Sequence, residues 1–131
     1  MDHQQPLNRS IALQILSYDF SVSQITDPAD IPFSDEFVFA GKTDDELSLV
    51  CRTATVPSNA FARVDGWKAI KIQGILDFSL VGILAGIASI LSEAKISIFV
   101  VSTYNTDYIL LKSESLQSAI TILSDNGYIF T

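Results

Sequence analysis

Apolar patterning over residues 67–130 predicts an α+β fold, a split β-α-β-β-α-β unit of the ferredoxin-like kind. Three observations carry this. Leu80, Ile83, Leu84, Ile87 and Leu91 recur at helical spacing. Leu116, Ala119, Ile120 and Leu123 do so again. Between the two stripes stand short apolar runs at 96–101 and 108–111, the first rich in β-branched residues, the mark of buried strands.

The elements follow in order. Residues 11–18 read as a strand. Residues 27–34 hold Asp27-Pro28 and Ile31-Pro32, which suit a loop or a short helical turn. Residues 37–40 and 46–51 read as a hairpin around 41–45, and 57–60 as a short turn. The first half therefore reads as a worn copy of the second, its helices cut down, with a boundary near 61–66. The expected division is a flexible tail at 1–9, a degenerate N-terminal unit at 10–63 and a C-terminal unit at 64–131.

The second half is plainer. Residues 67–73 form a strand with Ile70 and Ile72 on one face and Lys71 on the other, and Gly74 ends it. Ser79 fits the N-cap of the first long helix. The face opposite its apolar stripe carries Gly82, Ala85, Gly86 and Ser89, where a solvated helix would carry Lys, Glu or Gln. Small residues allow close approach, so this helix is expected to be covered by the sheet and by another helix, from the first half or from a second subunit. A poorly solvated surface helix is the alternative. Residues 103–107 turn between the two buried strands. Ser113 fits the cap of the second helix, Asn126-Gly127 its stop, and 128–130 a last short strand.

Composition narrows the function. The chain has 131 residues, 48% of them hydrophobic, enough for a core. Its net charge of −7 disfavours nucleic acid and anionic membrane surfaces. Cys51 is the only cysteine and lies in an alternating run, so a buried structural thiol is expected and no disulfide framework. His3 is the only histidine, which leaves no His-based acid–base or metal centre. The first residues lack the pattern of a secretory signal. The uncharged stretch 78–92 is bounded by Asp77 and Glu93 and is shorter than the ~20 residues of a membrane span, so a cytoplasmic protein is expected.

Catalytic motifs are missing. There is no Walker loop and no GxGxxG. Asp44-Asp45-Glu46 fits a solvated turn, and Arg9, Arg52 and Arg63 lie in no evident anion cradle. Neither a cofactor nor catalysis is expected. Two half-sites for a small zwitterion stand out. One is the helix start around residues 79–83, where unpaired amides attract a carboxylate and Gly82 permits close approach. The other is the turn, where Thr103 offers a hydroxyl, Tyr104 an aromatic wall and Asp107 a partner for an ammonium or guanidinium. Taken singly, each also fits an ordinary helix start and an ordinary polar hairpin. In a β-α-β-β-α-β unit both can border one crevice.

At these residues the sequence resembles ACT-domain proteins, more narrowly tandem ACT proteins of the CASTOR type, which include arginine sensors. The resembling segments are TDDELSLVC (43–51), GWKAIKIQGILDFSLVGILAGIASILSEAKISIF (66–99) and VSTYNTDYILLK (101–112). The resemblance implies two ACT units sharing an antiparallel sheet with helices on one face. It implies an amino acid held at an interface between ACT units, by backbone groups at Leu80, Val81, Gly82 and Ile83 and by Thr103, Tyr104 and Asp107. The arginine sensors are longer, with an acidic residue at the position of Leu80 and an aromatic at that of Thr106, so the resemblance does not carry arginine over as the ligand. The combined expectation is a non-catalytic, amino-acid-binding regulatory protein, a homodimer with a regulated protein partner. The rival expectation is a ligand-free interaction module that docks a partner through a helix face or a sheet edge.

Overall fold

The computed structural model of the chain describes residues 11–73 and 82–131. They fall into two compact units, one from residues 11–16 and 68–131, the other from 17–67 inserted between them in sequence.

In the C-terminal unit, β1 (Ala12–Ile15) pairs with the second half of β5 (Ala62–Ile72), which pairs in turn with β7 (Asp107–Lys112), and β7 with β6 (Ile98–Ser102). On its other side β1 pairs with β8 (Ile129–Phe130). Helices α1 (Ile83–Glu93) and α2 (Leu116–Asp125) bury Ile83, Ile87, Leu91, Ala119 and Leu123 in one cluster with Leu13, Ile70, Ile72, Ile109 and Leu111. The strand residues alternate, so both helices cover one face of this unit's strands.

The strand pairing corrects the expected antiparallel sheet. Strands β1 and β5 run antiparallel, with Leu13 opposite Ile72, but β1 and β8 run parallel, with Leu13 opposite Phe130. The sheet is mixed because β1 enters between β5 and β8. Residues 11–16, grouped by the sequence reading with the first half, lie in the C-terminal unit for the same reason. Leu13 is fully buried there.

In the inserted unit, β2 (Phe20–Gln24) pairs antiparallel with β4 (Leu47–Arg52) and with the first half of β5, and β4 pairs antiparallel with β3 (Val38–Lys42). The connections β2–β3 and β4–β5 carry single 3-10 turns, Pro28–Asp30 and Thr53–Thr55. Asp27 caps the first of these by accepting the Ala29 amide at 2.9 Å. Ile25, Leu47, Leu49 and Cys51 form the unit's apolar cluster. Cys51 is the buried thiol expected, and burial pushes its pKa up. Strand β2 has no counterpart in the sequence reading. Its Ser21 and Ser23 are buried and paired: Ser21 donates to Asp65 Oδ1 at 2.5 Å, and Ser23 to the Leu49 carbonyl at 3.4 Å.

Candidate functional site

The C-terminal end of β5 anchors the region of interest. After Ile72 and Gln73 the chain passes through 74–81, outside the described residues, and re-emerges at Gly82. The expected contacts at Leu80 and Val81 and the expected cap at Ser79 lie in that stretch. The N-cap of α1 is Gly82, at φ +97°, and the first helical residue is Ile83. The helix thus starts three residues later than the spacing of Leu80 suggested. Gly86 N donates to the Gly82 carbonyl at 2.8 Å, closing the first turn. The amides without a partner inside the helix belong to Ile83, Leu84 and Ala85. Among the described residues no side chain caps this end, and the first turn holds no acidic residue, so the helix itself does not neutralise its positive end. The Ile83 side chain is buried in the core, which leaves its backbone as the part available to a ligand.

The β6–β7 hairpin is tight. Ser102 stands opposite Asp107, and the Thr103 amide donates to the Thr106 carbonyl at 2.8 Å. The Thr103 hydroxyl donates to the same carbonyl at 3.1 Å. The Ser102 hydroxyl donates to Asp107 Oδ1. Tyr104 stands at the tip, 86% exposed.

Thr106 is the residue that sequence reasoning passed over. It is 4% exposed, and its hydroxyl donates to the Ile72 carbonyl at 2.7 Å. That bond fastens the hairpin tip to the end of β5, the end from which the chain leaves for α1. In sequence Thr106 reads as one more polar turn residue, and nothing in TYNT marks one hydroxyl as buried.

The acidic run at 44–46 is the solvated turn expected. The Thr43 hydroxyl oxygen accepts the Asp45 and Glu46 amides at 3.1 and 3.2 Å. Among the described residues no group of His, Cys, Asp and Glu is placed to hold a metal ion. No described helix is long and apolar enough to cross a membrane.

Comparison with known proteins bears on this geometry. Residues 62–125, from β5 to the end of α2, match the ACT domain family. The chain contains an ACT domain. It belongs to the same family as protein Atu0741 from Agrobacterium tumefaciens, a solved structure 33% identical that covers 92% of each chain with a TM-score of 0.82. Two further structures share the fold. Vibrio cholerae VC0802, described as of unknown function and a possible transport protein, is 21% identical over 94% of each chain, with a TM-score of 0.74. The regulatory subunit of aspartate kinase from Thermus thermophilus is 8% identical, covering 89% of this chain and 97% of that one, with a TM-score of 0.61. No curated protein matches the chain.

Proposed function

We propose that this ACT-domain protein is a non-catalytic regulatory protein that binds an amino acid at the C-terminal end of β5. The observation that carries the reading is the bond from the Thr106 hydroxyl to the Ile72 carbonyl, 2.7 Å. It holds the hairpin bearing Asp107 at the end of the strand that leads to α1. The ligand carboxylate meets the amides at the start of α1, with Leu80, Val81, Gly82 and Ile83 as the candidate backbone contacts. Its ammonium reaches Asp107, beside Thr103 and Tyr104. A helix N-terminus attracts anions and a carboxylate attracts ammonium, so the two ends suit a zwitterion. The likeness in fold to a kinase regulatory subunit supports a regulatory role.

The reading includes the tandem arrangement. The strand order β3-β4-β2-β5 of the inserted unit, with 3-10 turns at both crossovers, fits a second ACT-like unit of the CASTOR type whose helices have shrunk. It includes a homodimer as well. Gly82, Ala85 and Ser89 on α1 are exposed, and small residues let another helix approach closely. Light scattering should report twice the chain mass; a monomer at high concentration counts against this part.

A thermal-shift screen with the twenty common amino acids tests the central claim, since a ligand that binds only the folded state raises the melting point. Asp107→Ala should then weaken binding about tenfold to a hundredfold, the worth of one charge-assisted hydrogen bond, without lowering the melting point of the unliganded protein. No shift with any amino acid favours the ligand-free interaction module.

A further inference from the structure

We infer that the Tyr128 hydroxyl belongs to the proposed site, as a donor to the ligand carboxylate at the start of α1. The inference rests on the reading of that helix end as the place where the carboxylate lands. By sequence Tyr128 only opens the last short strand; in the structure it also stands against α1. A Cβ built on Gly86 would lie 3.3 Å from Tyr128 Oη. Gly86 closes the first turn of α1 through its bond to the Gly82 carbonyl. The hydroxyl is therefore beside the turn whose amides at Ile83, Leu84 and Ala85 have no partner inside the helix. Gly86, read from the sequence as part of a small-residue face, leaves room for that hydroxyl.

Tyr128 is 4% exposed and belongs to the cluster formed by α1, α2 and their strands. A phenol buried this far usually finds a partner for its hydroxyl. Here the hydroxyl makes no hydrogen bond among the described residues, and burial is the one cause that pushes its pKa up. It stays protonated at neutral pH and so remains a donor. The backbone that carries the ring is fixed by the stop of α2: Gly127 takes φ +96°, and the Tyr128 amide donates to the Leu123 carbonyl at 3.1 Å. A held donor without a partner thus stands beside helix-end amides without partners. One carboxylate has lone pairs enough for both.

Calorimetric titration with the twenty common amino acids tests this on the parent, Tyr128→Phe, Asp107→Ala and the double variant. Tyr128→Phe removes one oxygen and keeps the ring. At least one amino acid should bind the parent, and Tyr128→Phe should bind it about tenfold to a hundredfold more weakly, the worth of one charge-assisted hydrogen bond. The melting point of unliganded Tyr128→Phe should match or exceed the parent's, because the free protein loses no bond. A hydroxyl that served only the fold would do the reverse, lowering the melting point and leaving affinity alone. Tyr128 and Asp107 meet opposite ends of the ligand, so their losses should multiply in the double variant. The inference is overturned if Tyr128→Phe binds as the parent does or melts well below it. It is overturned too if both single variants lose affinity and the double variant loses no more than either. If no amino acid binds, the reading of the site falls and the inference with it. Weakened binding in Tyr128→Phe with none in Asp107→Ala removes Asp107 from the site and leaves the inference standing; the opposite pattern sinks the inference alone.

Discussion

At Gly82 the backbone sits at φ +97°, and a Cβ built there meets nothing within 4 Å among the described residues. The left-handed conformation is what favours glycine at this position. An L-residue held there costs roughly 1–2 kcal/mol. Gly82→Ala should therefore lower stability by about that much in denaturant unfolding. A β-branched side chain at the same place, Gly82→Val, should cost more. An unchanged midpoint for Gly82→Ala would show that the chain can enter α1 by another path. The sequence reading named Gly82 for its lack of a side chain, yet placed the helix start three residues early. The apolar stripe counts Leu80 as a helical position, and hydrophobic spacing does not register the φ of the residue between Leu80 and Ile83. Thr106 was missed for a related reason. A buried hydroxyl with a partner and a solvated one look alike in sequence, and only the partner, the Ile72 carbonyl 34 residues away, tells them apart.

Among the elements, the inserted unit shows how polar pairs stand in for apolar surface. Asp35 takes the Arg52 Nε–H at 2.9 Å and the Thr55 hydroxyl at 3.1 Å, which ties the approach to β3 to the end of β4 and the 3-10 turn that follows. The Arg52 guanidinium stacks over the Tyr18 ring at 4.5 Å. The hydrogen bond from Arg52 holds the Asp35 carboxyl below its usual pKa. Asp65 is held low in the same way, by Ser21 first and then by Arg63. A carboxyl whose folded pKa lies below its unfolded value contributes stability above the unfolded value, about 4, and loses it as the pH falls through the folded one. Acid unfolding of this unit should therefore set in below about pH 4. Asp35→Asn should lower stability at neutral pH and flatten the acid limb, which circular dichroism between pH 2 and 7 will show. An acid limb as steep as the parent's would mean that other carboxyls govern it. The same polar economy hid β2 from the sequence. Its buried face includes Ser21 and Ser23, so FSVSQ alternates without saying which face is inside. The hairpin of β3 and β4 was legible because its buried residues, Leu47, Leu49 and Cys51, are apolar and its turn is charged.

For the whole molecule the consequential feature is where β1 goes. The sequence reading recognised a strand at 11–18 but gave it to the first half, because neighbours in sequence are usually neighbours in space. Pairing preference between distant strands leaves no local mark, and β1 meets β5 more than fifty residues further along the chain. The outcome can be tested by truncating Leu13, which is fully buried in the cluster formed by α1, α2 and their strands. Removing such a side chain costs about 2–5 kcal/mol, a large share of the ~5–15 kcal/mol that holds a small domain folded. Leu13→Ala should therefore accelerate hydrogen exchange at Lys71 and Ile72, across β7 and at Ile129 and Phe130, all in the C-terminal unit. Leu49→Ala, in the apolar cluster of the inserted unit, should act first on β2 and β4. If β1 belonged with the first half, Leu13→Ala would loosen the same amides as Leu49→Ala and spare β7 and β8. Peptide-resolved exchange of the two variants separates these cases. A loss of protection at Phe130, whose partner across the parallel pair is Leu13, would be the clearest sign that the beginning of this chain closes the sheet of its end.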